Sequence, residues 1–305
     1  MSWKPLRWLP PLGGVLLAGC STVLMSPSGD VAMQQRNLII NALLLMLIII
    51  VPVIALTLFF AWRYRASAKA KYAPDWDHSV LLELLIWSAP LLIIIALGAL
   101  TWVSTHKLDP YRPLERIDAK RSMPTQTKPL TVQVVALDWK WLFIYPEQGI
   151  AVVNDMAAPV DRPIAFRITS STMMNSFFVP ALAGQIYAMP GMQTQLHAVM
   201  NRTGQFEGFS ANYSGAGFSH MRFTFESLDE SGFEQWVAKA RQEGAILDRE
   251  TYLQLAKPST NEPIRRYAKV EPELYNAILN LCVEPGQSCH SDTMHMGANA
   301  PEHTP

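Results

Sequence analysis

Charge is what this 305-residue chain has least of: 16% of it is Asp, Glu, Lys or Arg, against about a quarter in ordinary soluble domains. The deficit is uneven. No charge lies between Arg36 and Arg63, and none between Glu83 and Lys107. Cysteine is nearly as scarce, with single copies at Cys20, Cys282 and Cys289. No Cys-x-x-Cys-His occurs, which excludes a c-type haem attached to this chain. Net charge is zero, with 7 basic and 4 acidic residues before position 104, and 18 basic and 21 acidic after it. The second half is thus only weakly acidic, and nothing in it suggests nucleic acid.

Apolar sequence stands in place of the missing charge. Lys4 and Arg7 precede a short apolar stretch ending in Leu17-Ala18-Gly19-Cys20, the layout of a secretory signal over residues 1–19. The Leu-Ala-Gly-Cys ending resembles the bacterial lipobox, which implies cleavage before Cys20 and a lipid on its sulfur. The alternative is a buried cysteine after a signal anchor. Two longer blocks, about 37–62 and 84–106, each exceed the roughly 20 residues a membrane helix needs. They contain Pro52 and Pro90, which membrane helices tolerate. Between them, residues 63–71 carry four basic residues, so by the positive-inside rule this loop is cytoplasmic. Both signals put the N-terminus and everything beyond about residue 105 in the periplasm of a bacterial inner membrane protein.

Beyond the membrane segments the pattern changes. Residues 107–128, with Pro110, Pro113 and Pro124, read as a linker. Short β-rich runs follow at 131–137, 164–169, 193–199 and 220–225, separated by Gly and Pro, and predict an antiparallel sandwich or barrel over 129–228. Phe233, Trp236, Val237 and Ala240 then fall on one helical face, opening a helical extension over 229–286, with a further helical stretch at 252–255. Residues 287–305, rich in Ser, His, Met and Pro, predict a disordered tail.

Three segments carry a resemblance to a known family. They are 138–149 (Asp-Trp-Lys-Trp-Leu-Phe-Ile-Tyr-Pro-Glu-Gln-Gly), 168–180 with its Asn175-Ser176-Phe177-Phe178-Val179-Pro180, and 209–221 (Phe-Ser-Ala-Asn-Tyr-Ser-Gly-Ala-Gly-Phe-Ser-His-Met). With the two-helix hairpin, roughly residues 20–245 resemble subunit II of haem–copper respiratory oxidases. The fold this implies is a membrane α-hairpin plus an all-β, cupredoxin-like periplasmic sandwich with C-terminal helices. In copper-bearing members a His precedes Ser-Phe-x-x-Pro, and the later loop reads Cys-x-x-x-Cys-x-x-x-His-x-x-Met. Here those positions are Asn175, Ser210, Ser214, Phe218 and Met221, so only the methionine remains. Hydroxyls and a phenyl ring cannot replace the soft thiolates and imidazoles of a dicopper centre. Met173, Met174 and His220 lie near these positions in sequence and read as core or loop filler, a replacement copper site being the lesser alternative.

The copper-free pattern resembles the cytochrome bo-type ubiquinol oxidase branch. The resemblance implies a subunit without a catalytic centre or cofactor of its own. Haems, one copper and the ubiquinol site would belong to partner subunit I, with smaller subunits III and IV beside it and no role for cytochrome c. It also implies that Glu83, at the cytoplasmic start of the second span, serves the entrance of a proton channel into subunit I; a plain interfacial carboxylate is the alternative. Trp139 and Trp141 read as packing of the sandwich against subunit I, and His78 and His106 as interfacial residues. The oxidising periplasm permits a disulfide between Cys282 and Cys289. A contrasting reading is a free copper-binding or oxidase-assembly lipoprotein using Met294, His295, Met296 and His303 in the tail.

Overall fold

The computed structural model describes residues 23–71, 75–124 and 127–290. Cys20 and the tail residues Met294, His295, Met296 and His303 lie outside them. The chain divides into two compact units, one of residues 34–109 and one containing residues up to 33 and from 110 onward.

The first unit is a helical hairpin. Helix α1 spans Asp30–Arg63 and helix α2 spans Val80–Lys107, with Pro52 and Pro90 inside them. Both start earlier than the hydropathy blocks, because a helix continues into its polar flanks while hydropathy marks only the apolar part. At about 1.5 Å per residue α1 is roughly 51 Å long, more than the roughly 30 Å hydrocarbon thickness of a bilayer. Leu, Ile, Phe and Trp side chains cover the outside of both helices, among them Leu58, Trp62, Leu81 and Trp87 at more than 60% exposure. In water such surfaces would be unstable; in hydrocarbon they are the solvated face.

The second unit is a two-layer β-sandwich. Its strands are β1 Leu130–Leu137, β2 Lys140–Tyr145, β3 Ile150–Val153, β4 Asp155–Pro159, β5 Pro163–Ser170, β6 Asn175–Phe178, β7 Ile186–Ala188, β8 Thr194–Val199, β9 Gly204–Ser210 and β10 Arg222–Leu228. Helix α3 (Glu230–Glu243), strand β11 (Ala245–Leu247), helix α4 (Arg249–Leu255), strand β12 (Arg265–Val270) and helix α5 (Leu274–Leu279) follow. One sheet runs β11-β12-β3-β2-β1-β5-β8 and the other β4-β10-β9-β6-β7. β1 pairs antiparallel with β2 but parallel with β5. Between the sheets, Trp141 and Phe143 of β2 meet Phe177 of β6 and Phe223 of β10, with ring centroids 4.9–6.4 Å apart.

Strand β2 explains why its sequence does not alternate. Trp141, Phe143 and Tyr145 face the inter-sheet core, while Leu142 and Ile144 pack on the far side against Tyr252, Leu255, Tyr267 and Leu274 of the extension. A strand buried on both faces reads as a continuous apolar run. Each large side chain so covered contributes about 1.5–3 kcal/mol.

The extension differs from the all-helical expectation. β11 and β12 enlarge the first sheet, β12 lying antiparallel to β3 with Arg265 opposite Val153 and Tyr267 opposite Ala151. The reason is the free edge of β3, which would otherwise leave a row of backbone groups unpaired. Helix α3 does form on the expected face, with Phe233, Trp236, Val237 and Ala240 buried, and Asp229 caps it by accepting from the Gly232 N–H at 2.7 Å. Lys140, 1% exposed, pins the extension to β2 by donating to the Lys257 carbonyl at 2.8 Å and to Ser259 Oγ at 2.5 Å. Burial pushes its ammonium pKa down.

The start of the tail is also ordered, contrary to the expectation for residues 287–290. Cys289 is bonded to Cys282, and the His290 N–H donates to the Asn280 carbonyl at 2.9 Å. At the other end, residues 28–32 are stitched to the sandwich. Ser28 and Gly29 N–H groups donate to the Ala181 carbonyl at 2.9 and 2.7 Å, and buried Asp30 pairs with Arg116 of the linker at 2.9 Å. Glycine is required at position 29, where a Cβ would sit 2.2 Å from the Leu182 carbonyl oxygen.

Candidate functional site

The five positions matched to metal ligands cluster at one end of the second sheet. Asn175 opens β6, Ser210 closes β9, and the β9–β10 connection carries Ser214, Phe218 and Met221. Asn175, Ser210, Ser214 and Met221 are all buried, at 1–4% exposure. Ser210 Oγ lies 3.1 Å from Asn175 Oδ1 and accepts from the Ser176 N–H at 3.5 Å, while the Asn175 amide donates to the Met173 carbonyl at 3.1 Å. The Ser210 N–H donates to the Met221 carbonyl at 3.1 Å. Asn175 and Ser210 therefore satisfy each other. Phe218 lies outside this network, part-exposed, its ring edge-on to Tyr213 at 5.7 Å.

Trp139 holds the loop in place, and this is a role the sequence reading missed. Its indole N–H donates to the Ser214 carbonyl at 2.9 Å, and its ring packs closely against Gly215 and Gly217 of the loop. A Cβ at Gly217 would fall 2.4 Å from the Trp139 ring, and one at Gly215 would fall 3.2 Å away. Trp139 itself occupies the left-handed region with φ of 69°, as the turn between β1 and β2 requires. The signal available in the sequence was the pair Gly215 and Gly217 in a loop that must pass an aromatic face. Trp141 also departs from the reading as a contact with another subunit: it is 0% exposed. Strand alternation turns it into the core beside Phe177 and Phe223.

The remaining candidates fall elsewhere. Met173 and Met174 are 39% and 41% exposed, and His220 is exposed on a 3-10 turn, Phe218–His220. Among the described residues, no three His, Cys, Asp or Glu side chains converge. Glu83 lies in the first turn of α2 and meets His78, with Nδ1 and Oε1 2.6 Å apart and both side chains more than half exposed. His106 bonds the Trp102 carbonyl at 2.8 Å in the last turn of the same helix.

Comparison with known proteins fits this architecture. The family described as "Cytochrome C oxidase subunit II, periplasmic domain" matches residues 147–228, and "COX Aromatic Rich Motif" matches residues 241–286, where β11, α4, β12 and α5 lie. The chain is 53% identical over 275 residues to cytochrome bo(3) ubiquinol oxidase subunit 2 of Pseudomonas aeruginosa, covering 90% of this chain and 80% of that protein. It is 51% identical over 273 residues to the protein of the same name from Pseudomonas putida, covering 89% and 84%. It is 48% identical over 284 residues to ubiquinol oxidase subunit 2 of Acetobacter aceti, covering 92% and 90%. With a membrane hairpin, a cupredoxin-like sandwich and identities of this size over most of its length, the chain belongs to the subunit 2 family of the haem–copper ubiquinol oxidases.

Proposed function

We propose that this chain is the copper-free, membrane-anchoring subunit of a proton-pumping complex that oxidises ubiquinol and reduces oxygen to water. The observation that carries the reading is the donor set at the five matched positions. Two hydroxyls, a carboxamide and a phenyl ring offer no thiolate or imidazole to copper, and Asn175 and Ser210 are already engaged with each other. A dicopper centre serves a donor dissolved in the periplasm. Quinol is dissolved in the bilayer and reaches a haem of subunit I directly, so this subunit needs no electron relay. It holds the sandwich, the hairpin and subunits I, III and IV in register in the inner membrane. The haems and the one copper belong to subunit I.

Two further roles go with this reading. Glu83 admits protons to subunit I from the cytoplasmic face; its support is its place at the start of α2, its contact with His78 and the neighbouring basic loop. Cys20 carries lipid, supported by the Leu-Ala-Gly-Cys sequence that precedes the hairpin.

The test is metal and proton stoichiometry on the purified complex. The expected result is one copper per complex, unchanged by substitution of Met221. Two further copper atoms per complex, lost in Met221→Leu, would overturn the copper-free reading. For the proton role, Glu83→Gln should slow quinol oxidation and lower the protons released per electron. Unchanged turnover and pumping would remove Glu83 from the mechanism.

A further inference from the structure

A cleft between α1 and α2 runs from a polar opening into an apolar interior. The polar part, about 180 Å³, is lined by Gln34, Asn37 and Asn41 of α1 with Ser104 and Lys107 of α2. The apolar part, about 410 Å³, is lined by Leu44, Leu45 and Ile48 against Ala96. Asn41 and Leu100 border both parts, so the two form one open groove along the hairpin. Gln34, Asn37 and Asn41 fall three and four residues apart, which puts them on one helical face. Ala96 keeps the interior open where its neighbours Ile95 and Leu97 are large.

The depth of these residues fixes what fits. Asn41 and Trp62 are about 32 Å apart along α1 at 1.5 Å per residue, close to the thickness of the hydrocarbon layer. Trp62 belongs at the cytoplasmic interface beside Arg63 and Arg65, so Asn41 sits at the opposite edge, where glycerol esters lie. A carboxamide at that level can donate its N–H groups to an ester carbonyl. Lys107 follows at the end of α2, at headgroup level and on the same side of the membrane. The groove thus presents a cation, then amides, then an apolar floor, the same order as phosphate, ester and acyl chain in a phospholipid.

We infer that the hairpin binds one anionic phospholipid from the periplasmic leaflet, with an acyl chain between Ile48 and Ala96, an ester carbonyl on Asn41 and the phosphate on Lys107. The inference rests on the topology proposed above, in which this end of the hairpin faces the periplasm. Bound there, the lipid fills the cleft and satisfies Asn41 without a protein partner.

The test is quantification of phospholipid retained by the detergent-purified oxidase complex, with wild-type, Asn41→Leu and Lys107→Gln subunits compared at equal haem content. After delipidation, rebinding of phosphatidylglycerol and of phosphatidylethanolamine is titrated. One tightly held anionic lipid per complex is expected in the wild type. Lys107→Gln should weaken phosphatidylglycerol binding about fivefold, the effect of one basic residue at a membrane surface. Asn41→Leu should lower retention without loss of haem. Equal retention and affinity in all three proteins, or a subunit I side chain filling the cleft in a density map of the complex, would overturn the inference. Labelling of Lys239→Cys, on the exposed face of α3 and outside the cleft, by a membrane-impermeant thiol reagent in intact spheroplasts separates the two ideas. Labelling without selective lipid binding sinks the lipid site alone, and no labelling sinks the topology.

Discussion

Tyr145→Phe isolates one atom that joins the two sheets. Tyr145 lies on β2 in the first sheet and is 0% exposed. Its hydroxyl crosses to edge strand β4 of the second sheet, donating to the Ala157 carbonyl at 2.8 Å and accepting from the Ala157 N–H at 2.9 Å. Burial pushes the phenol pKa far above its ordinary value, so the group stays protonated and both bonds persist at any ordinary pH. Phenylalanine keeps the ring contacts with Trp236 at 5.3 Å and Phe233 at 6.2 Å. What is lost is the oxygen alone, leaving a buried N–H and a buried carbonyl without partners. Each stranded group costs about 1–3 kcal/mol. Part of that returns because no hydroxyl need be dehydrated, and the net loss is about 3 kcal/mol. In a unit of this size that corresponds to about 6–12 °C in melting temperature. Thermal unfolding of the sandwich in the purified complex, followed by tryptophan fluorescence, reads it out. Tyr213→Phe is the control, since Tyr213 is 76% exposed and its change should fall within about 0.5 kcal/mol. If Tyr145→Phe melts with the wild type and the control, the inter-sheet bond carries no stability and the reasoning fails.

Other consequences are equally direct. Gly217→Ala forces a methyl into the Trp139 ring and should cost about 1–3 kcal/mol; pairing it with Trp139→Leu should relieve part of the loss, so additive melting shifts would argue against the contact. Replacing Cys282 and Cys289 together by serine should cost about 2.5 kcal/mol, the loop-closure value for a loop of about 8 residues, seen as a fall in denaturation midpoint that reductant reproduces in the wild type. His197, half-buried on β8, has its pKa pushed below the ordinary histidine value by desolvation. The unfolded chain then takes up this proton first on acidification, so the His197 contribution is intact above about pH 6.5 and is lost as pH falls towards the folded value. His197→Gln should flatten the acid limb of a stability–pH profile, and an unaltered profile would refute the assignment.

Much of the molecule was legible in the sequence because its signals are local. A charge-free run long enough to span a bilayer marks a membrane helix by composition alone, and the basic loop at 63–71 is the local signal on which the proposed sense of the hairpin rests. Alternation in β1, β5, β8 and β10 gave strands whose ends fall within three residues of those observed, since each keeps at least part of its length with one face towards the core. At positions 175, 210, 214, 218 and 221 the side-chain types stand in the sequence itself, and the copper-free proposal is built on them. Tertiary structure decided the rest. β2 is buried on both faces and so lost its alternation, and β11 and β12 became strands only because β3 offered a free edge. Trp141 turned inward because the pleat paired it with Phe143 and Tyr145, while Trp139, two residues earlier, turned onto the 214–217 loop. Whether the matched positions would lie open or closed also waited on the fold: the hydrogen bond from Ser210 to Asn175 joins residues 35 apart in sequence, and only strand pairing brings them together.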